Sequence, residues 1–298
     1  MWQQYYKQIQ QGNIKALARC ISLVENEVAG YEQLLQLLPP VAKPVIGITG
    51  PPGAGKSTLT DALIGTLVED GKKVAVLCID PSSPFNLGAL LGDRIRMSGW
   101  YNNPNVFIRS LATRGSLGGL HPKIIEITDL LKAALFDYII VETVGVGQSE
   151  IEIAGLADAT VVVLVPEAGD EVQTMKAGLM EIADIFVVNK ADRPDADLFV
   201  RNLMMMLAPA FNKAHTIVPV IKTIASRKEG IAALYQAIES HIVPGRVNEK
   251  RLWLLAEKAY LLIIQKRMKN VSKSEIKKQV ALEGNDFNLY RFIQNYPA

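Results

Sequence analysis

The middle of the chain alternates short apolar segments with longer amphipathic ones. The apolar segments are rich in Val and Ile, and each fits a strand that is buried on both faces of a parallel sheet. The amphipathic segments carry apolar residues at helical spacing. Right-handed strand–helix–strand units follow, so we predict an α/β fold with a doubly wound, mostly parallel sheet. The predicted strands span residues 45–49, 74–79, 138–142, 161–165, 185–189 and 217–221, and the predicted helices span residues 57–70, 122–135, 171–183, 195–207 and 228–242.

Helical patterns also occupy both ends of the chain. Apolar residues recur at helical spacing before the prolines at positions 39, 40 and 44, which predicts helix over residues 1–38. Beyond Pro244-Gly245, residues 248–268 have a long apolar face, compatible with a dimer or with packing on the chain's own central domain. We therefore predict an N-terminal helical extension (1–43), a central domain (44–245) and a C-terminal helical extension (246–298) that is compatible with a dimerisation arm.

The bulk composition is that of an ordinary globular protein. The 298 residues are 49% hydrophobic and 21% charged, and the formal net charge of +2 suggests no strongly polyanionic partner. The N-terminus lacks a signal-peptide pattern, and no apolar stretch approaches the ~20 residues that span a bilayer. Cys20 and Cys78 lie in unrelated surroundings, as in a reducing compartment. We expect a cytoplasmic protein that binds neither nucleic acid nor membrane.

The first segment with specific chemistry follows the first predicted strand and opens a helix. It fits G-x-x-x-x-G-K-[ST] without a mismatch, in the context that this phosphate-binding motif requires. Glycines let successive backbone N–H groups point at phosphate oxygens, and the helix N-terminus adds its positive dipole end. Lys56 would reach the β- and γ-phosphates, and the Ser57 hydroxyl would ligate Mg²⁺. The predicted site comprises Gly50, Pro51, Pro52, Gly53, Ala54, Gly55, Lys56, Ser57 and Thr58.

A base-recognition motif follows a later predicted strand. Asn189-Lys190-Ala191-Asp192 has the N-K-x-D pattern of GTPases. The Asp192 carboxylate can accept from the ring N–H and the exocyclic amino group of guanine, whereas adenine offers no such donor pair. The Lys190 stem can lie along the base. Ala225 and Ser226, after the next strand, occupy the place that supplies backbone N–H groups to the guanine oxygen.

Carboxylates at strand ends indicate a magnesium site. Glu142 ends the strand over residues 138–142, in the Walker-B place, where Asp or Glu can hold Mg²⁺ directly or through water. Asp80 follows the second predicted strand, in the crevice where α/β proteins bind ligands. Both carboxylates should therefore lie beside the phosphate loop.

The residues after Glu142 bear on the rate of hydrolysis. Gly145 is placed to offer its backbone N–H to the γ-phosphate, and with Lys56 and Glu142 it forms the predicted catalytic set. Val146 stands where many small GTPases carry a water-orienting Gln, and Gln148 is displaced by two positions. Because valine cannot orient water, we predict slow intrinsic hydrolysis, with a group elsewhere or a partner completing the site.

Two further polar segments fall on the predicted ligand side of the sheet. The segment from Asp93 to about Leu120 has the glycines and the length of a switch loop, with a plain surface loop as the alternative. The segment over residues 169–176 follows another strand, and Asp170 in it fits a helix N-cap as well as a functional role.

These motifs, in this order, resemble the ArgK/MeaB family, the methylmalonyl-CoA mutase-associated GTPases of the metallocentre-assembly group of P-loop GTPases. The likeness runs from about Leu17 to Leu262. Besides the phosphate loop and the base motif, it rests on residues 80–84 (DPSSP), 92–97 (GDRIRM), 114–120 (RGSLGGL), 142–150 (ETVGVGQSE) and 166–176 (PEAGDEVQTMK).

The resemblance implies a homodimeric, Mg²⁺-dependent GTPase with helical extensions at both ends of its central domain. Such proteins gate cofactor loading and protect an adenosylcobalamin-dependent acyl-CoA mutase such as methylmalonyl-CoA mutase. By motif, the metal site would comprise Ser57, Asp80, Asp93 and Glu142, and coupling to the partner would involve Gln148, Asp170, Gln173 and Lys176, the last two in a third switch.

Two other functions fit parts of the pattern. A metallochaperone GTPase that delivers nickel or zinc would need Cys or His ligands at metal spacing, but the three histidines and two cysteines are scattered. An ATPase or kinase linked to amino-acid transport would not require the guanine selectivity that Asp192 predicts. The GTPase chaperone is the function we predict.

Overall fold

The computed structural model describes residues 1–80, 97–114, 120–144, 149–168, 177–211, 218–243 and 248–296. The chain divides into two compact units, Met1–Arg251 and Leu252–Ala298. Six of the predicted site residues lie outside the described ranges, so the predictions made for them stay predictions: Asp93, Gly145, Gln148, Asp170, Gln173 and Lys176.

In the described part of the chain, seven parallel strands form one sheet in the order β3-β2-β4-β1-β5-β6-β7, so the predicted doubly wound α/β fold is confirmed. Every residue of β1 and β2 is buried, as expected for strands covered on both faces. The strands are β1 (Val45–Thr49), β2 (Val74–Asp80), β3 (Val106–Ala112), β4 (Tyr138–Glu142), β5 (Ala159–Leu164), β6 (Ile185–Val188) and β7 (Val220–Lys222).

The sheet order places the ligand crevice. β1 lies between β4 and β5, so the chain moves to one side of β1 for β2 to β4 and to the other side for β5 to β7. Ligands of such sheets bind at the carboxyl ends of the strands where the order reverses. The loop that follows β1 is therefore at the centre of the molecule's expected binding edge.

Helices connect the strands, and α4 shows how they pack. Its Leu59, Leu63 and Leu67 are fully buried at a spacing of four residues, which directs one stripe of the helix into the core. The helices are α1 (Trp2–Gln10), α2 (Ile14–Glu25), α3 (Tyr31–Leu35), α4 (Lys56–Glu69), α5 (Ile124–Ala133), α6 (Ser149–Leu156), α7 (Ala177–Ile182), α8 (Ala196–Phe211), α9 (Ile231–His241), α10 (Glu249–Arg267), α11 (Lys273–Glu283) and α12 (Leu289–Asn295).

The helical character predicted for residues 1–38 is confirmed, although the chain forms three separate helices there, α1, α2 and α3. Gly12 has a φ of +79° after α1, and the Asn13 side chain accepts the Ala16 N–H at 3.0 Å to begin α2. Gly30, with a φ of +85°, precedes α3. Left-handed glycines and an N-cap asparagine are stop and start signals that outweigh the apolar periodicity.

The prediction of a switch loop from Asp93 to Leu120 is wrong for residues 98–112. That segment contains a short 3-10 helix, Ser98–Trp100, and the strand β3. β3 is an edge strand whose described partner is β2, and it is only partly buried. Because Arg109 and Ser110 interrupt its apolar residues, its sequence lacks the continuous Val and Ile pattern of the central strands.

The unit Leu252–Ala298 is helical, and its large apolar side chains lie at its surface. Trp253 is 75% exposed and Tyr260 is 64% exposed, and no residue of the fully described helix α10 is buried. Among the described residues, no helix combines the length and the apolar character that crossing a membrane requires. The predicted domain boundaries at residues 43 and 245 stay predictions.

Candidate nucleotide-binding site

The loop after β1 depends on two glycines. Gly50 has a φ of +139°, and a Cβ built on it would lie 2.1 Å from the carbonyl oxygen of Val163 in β5. Gly55, with a φ of +87°, caps α4, and its Cβ would lie 2.4 Å from Asn189 Nδ2. Only glycine fits both positions, because each combines a left-handed backbone with a close neighbour. The loop is thereby packed against β5 on one side and the base motif on the other.

The Lys56 ammonium lies at the mouth of this loop. Its side chain is 7% exposed, and Nζ donates to the carbonyl oxygens of Gly50 at 2.9 Å and of Pro51 at 3.1 Å. A phosphate that entered the loop would compete with these carbonyls for the same donors. The geometry therefore presents one buried positive charge to an anion bound at the N-terminus of α4.

A buried hydroxyl–carboxylate pair adjoins the lysine. Ser57 Oγ donates to Glu142 Oε1 at 2.6 Å, and the side chains are 8% and 3% exposed. The register explains the meeting, since Glu142 at the end of β4 pairs with Ile48 of β1, just before the loop. Mg²⁺ prefers oxygen ligands, and the Ser57 hydroxyl and the Glu142 carboxylate offer two that are in contact, so these residues fit a magnesium ion.

Thr60 belongs to this cluster although its role was not predicted. The fully buried Thr60 Oγ1 lies 2.9 Å from Glu142 Oε2 and 2.9 Å from the Lys56 carbonyl oxygen, and its one proton serves one acceptor at a time. It follows Lys56 by one helical turn, so helical spacing was the available signal. One Glu142 oxygen thus contacts Ser57, while the other lies within hydrogen-bond distance of Thr60.

Asp80 lies at the same edge of the sheet. It ends β2, is 4% exposed, and follows by two residues the Cys78 that pairs with Glu142 of β4. Within the described residues, no three His, Cys, Asp or Glu side chains are close enough to hold a metal ion together. The predicted metal set also includes Asp93, which is not described. Of the four predicted metal ligands, the structure therefore describes three, which are Ser57, Glu142 and Asp80 at the end of β2.

Asn189 connects the two halves of the site. Its side chain is 2% exposed, and Nδ2 donates to the Ala54 carbonyl oxygen at 3.0 Å. Its Oδ1 accepts from Thr223 Oγ1 and from the Ala225 backbone N–H, both at 3.1 Å. Because the Ala225 N–H is engaged by Asn189, the prediction that residues 225 and 226 donate to guanine now rests on Ser226. One buried amide fixes the phosphate loop and the loop after β7 together.

An open pocket of about 240 Å³ lies between these loops. Lys190 Nζ donates to the Gly53 carbonyl oxygen at 2.8 Å, so its stem spans from the base motif to the phosphate loop. The Asp192 carboxylate lies 3.8 Å from the Arg227 guanidinium, a neighbour that sequence patterns did not indicate. Two of the predicted phosphate-loop residues, Gly55 and Thr58, thus share one pocket with the predicted base residues, and the rest of its lining is Asn189, Lys190, Asp192, Arg193, Ile224, Ala225 and Ser226.

Comparison with known proteins identifies the family. The family model described as methylmalonyl-CoA mutase-associated GTPase MeaB matches residues 17–278. The chain belongs to the MeaB family. Since its relatives are named GTPases and it carries the fold and the nucleotide motifs of that class, it is a P-loop GTPase.

Individual relatives show the range of this family. A putative GTPase of Pyrococcus horikoshii is 45% identical over 266 residues, which cover 86% of this chain and 84% of that protein. A fused isobutyryl-CoA mutase of Cupriavidus metallidurans is 40% identical over 239 residues, 76% of this chain but 22% of that longer protein. The crystal structure of a LAO/AO transport system kinase has a TM-score of 0.69 and 27% identity, covering 98% of this chain and 95% of the other.

Proposed function

We propose that this MeaB-family GTPase binds Mg·GTP at the pocket between the phosphate loop and the base motif. The observation that carries the proposal is the Asn189 side chain, which joins the loop that would hold the phosphates to the loop that would hold the base. Guanine would be selected by Asp192, because its carboxylate offers two acceptors to the two neighbouring N–H donors of that base.

The chain's own residues supply the chemistry around the phosphates. The Lys56 ammonium and the N-terminus of α4 would stabilise negative charge that develops during hydrolysis. Ser57, Glu142, Asp80 and, by motif, Asp93 would hold Mg²⁺, with Thr60 orienting Glu142. When bound, Mg²⁺ neutralises β- and γ-phosphate oxygens. We expect slow turnover by the isolated protein, because Val146 cannot orient a water molecule.

We further propose that the GTPase is a chaperone for an adenosylcobalamin-dependent acyl-CoA mutase, gating its cofactor loading and protecting it. Two observations support a mutase partner: the description of the family itself, and a relative in which a homologous segment is part of a fused isobutyryl-CoA mutase. We also propose that the protein acts in the cytoplasm, where its two buried free thiols, Cys20 and Cys78, would stay reduced.

The first test is GTP hydrolysis with the purified protein, Mg²⁺ and a methylmalonyl-CoA mutase. We expect slow GTP turnover that rises when the mutase is added, and no turnover of ATP. The measurement with ATP also tests the alternative function, an ATPase or kinase linked to amino-acid transport, which the name of one structural relative suggests. Equal use of ATP and GTP would refute guanine selectivity, and a rate unaffected by the mutase would refute that partner.

Nucleotide state should control the partner complex. If the protein gates cofactor loading, its affinity for the mutase must differ between GDP and a non-hydrolysable GTP analogue, since a ligand shifts an equilibrium only by its differential affinity. Binding is measured by calorimetry with each nucleotide in excess. Equal mutase affinity with both nucleotides would exclude a nucleotide switch.

The exposed apolar side chains of α10 support the proposed homodimer. A helix that exposes this many large apolar side chains leaves apolar area that a second copy of the chain can cover. We expect Ile263→Asp on α10 to weaken self-association in sedimentation velocity. Met205→Asp, a matched change at the exposed Met205 of α8, should leave it unchanged. A monomeric wild-type protein at all concentrations tested would refute the dimer.

A further inference from the structure

The end of α2 carries a carboxylate that is directed into the edge of the sheet. Glu25 is the last residue of α2, and its side chain is 13% exposed. Arg109, which lies within β3, donates from Nη2 to Glu25 Oε2 at 2.8 Å and to Ser22 Oγ at 3.2 Å. The N-terminal extension therefore holds β3 by an ion pair that is largely removed from solvent, where charge-assisted bonds are strongest.

A second arginine uses the other oxygen of the same carboxylate. Arg114 donates from Nη2 to Glu25 Oε1 at 3.2 Å and to Asn26 Oδ1 at 3.1 Å, and from Nη1 to the Glu25 carbonyl oxygen at 2.8 Å. Arg114 adopts a φ of +48°, which is uncommon for a residue other than glycine. Arg109 precedes the last residue of β3 and Arg114 follows it, so the Glu25 carboxylate binds the chain on both sides of the point where β3 ends.

The end of β3 in turn contacts a predicted metal ligand. Ala112 pairs with Asp80 in the parallel ladder, and the Thr113 N–H donates to the Asp80 carbonyl oxygen at 3.0 Å. β3 is the edge strand, and its neighbour among the described strands is β2. Any displacement of the β3 end is therefore transmitted directly to the backbone of Asp80.

We propose that Glu25 is a positioning residue for the metal site of this GTPase, acting through Arg109 and Arg114 on the end of β3 and so on Asp80. The inference rests on the proposed role of Asp80 as a magnesium ligand. It gives the N-terminal extension a function in nucleotide binding, because the extension sets the geometry of one carboxylate in the site.

The extension is anchored independently, so a change at Glu25 can be tested in a folded protein. Leu17, Ile21 and Val24 of α2 are buried. The Lys123 side chain, 7% exposed, donates to Tyr31 Oη at 2.8 Å and lies 2.7 Å from Glu27 Oε1. None of these contacts involves the Glu25 carboxylate, so we expect them to persist when that group alone is altered.

The test compares Glu25→Gln with Glu32→Gln, full-length in both cases. In Glu25→Gln one carboxylate oxygen becomes an NH₂ group, which cannot accept from the second arginine. Glu32 is an exposed acidic residue on the same extension, so its replacement makes the same charge change without touching β3. Two quantities are measured: the Mg²⁺ concentration that gives half-maximal GTP hydrolysis, and hydrogen exchange of the Thr113 amide. GDP affinity in EDTA is the reference that excludes a general loss of structure.

Glu25→Gln should raise the half-saturating Mg²⁺ concentration roughly tenfold, the lower end of the cost of losing an outer-shell contact. It should also speed exchange at Thr113, while GDP affinity in EDTA stays within about twofold and Glu32→Gln behaves as wild type. Unchanged Thr113 exchange, an unchanged Mg²⁺ requirement, or an equal loss of GDP affinity in EDTA would each overturn the inference. Wild-type hydrolysis that needs no Mg²⁺ would overturn it too, and would identify the proposed metal site as the step that failed.

Discussion

Replacing Asn189 by Asp should separate the phosphate loop from the base motif with almost no change in side-chain shape. The Ala225 N–H is a donor, so the oxygen of the Asn189 amide must face it, and the NH₂ group must face the Ala54 carbonyl oxygen. In Asn189→Asp the contacts to Thr223 and Ala225 can persist. The second carboxylate oxygen then faces the Ala54 carbonyl oxygen at the 3.0 Å where a hydrogen bond had been.

The magnitude follows from the burial of this contact. Leaving a buried carbonyl without a donor costs about 1–3 kcal/mol, and Asn189 is 2% exposed. The free protein can relieve the repulsion by moving the phosphate loop away, whereas a bound nucleotide requires both loops in place. Most of the cost should therefore fall on binding, as a rise of about 5- to 150-fold in Kd.

The assay is a fluorescence titration with a labelled GDP in EDTA, which measures nucleotide binding without the metal. Asn202→Asp, the same chemical change at an exposed position on α8, is the matched control and should bind GDP as wild type does. A Kd for Asn189→Asp within twofold of wild type would refute the idea that this amide couples the loops. A cooperative unfolding transition for both variants confirms that they are folded.

Three further changes test other parts of the structure. Asp192→Asn should weaken GDP binding by about 1.5–3 kcal/mol and improve binding of the xanthine nucleotide, because an amide offers a donor where guanine needs an acceptor; an unchanged GDP-to-XDP ratio in competition binding would contradict it. Gly50→Ala should lower the free energy of unfolding in guanidinium by more than about 1 kcal/mol, since its Cβ would lie 2.1 Å from the Val163 carbonyl oxygen. Gly99→Ala, in open space, should be nearly neutral, and equal effects of the two would refute the packing argument. Burial raises the pKa of the Cys20 thiol from 9.0 to about 11, so stability should fall as pH rises through that window, where the unfolded chain ionises first. Cys20→Ala should make that fall in stability less steep, by up to about 1.4 kcal/mol per pH unit. An unchanged dependence of stability on pH would contradict a raised pKa for the Cys20 thiol.

The central strands could be predicted because their physical situation leaves a plain pattern. A strand covered by helices on both faces needs mostly apolar residues, and β1, β2 and β5 are buried throughout and rich in Val and Ile. β3 could not be found in this way. Its Arg109 is tolerated in a strand because Glu25, far away in sequence, neutralises it, and single-sequence patterns contain no information on that partner.

Some parts of the candidate site could likewise be predicted from the sequence, and others could not. The phosphate loop and the base motif are continuous in sequence, so their roles could be predicted from residue type and spacing. The contacts of Thr60 with Glu142 and of Thr223 with Asn189 could not be predicted, because the partners lie 82 and 34 residues away in the sequence. Their importance appears only when the sheet brings β4 beside α4, and β7 beside Asn189. Long-range hydrogen bonds of this kind depend on the fold and not on local sequence.

Asn189 and Glu25 stabilise different parts of the same site, and their effects should therefore add. Asn189 acts on the phosphate loop and the base pocket, and its loss should appear in EDTA. Glu25 acts on the end of β3, and its loss should appear only in the Mg²⁺ requirement. They have no hydrogen-bond partner in common among the described contacts, and changes at such separate sites combine within about 0.3–0.5 kcal/mol. The double variant Glu25→Gln/Asn189→Asp should show the GDP affinity in EDTA of one parent and the Mg²⁺ requirement of the other. A Mg²⁺ requirement in the double variant far above that of Glu25→Gln would mean that the phosphate loop and the β3 end move as one unit.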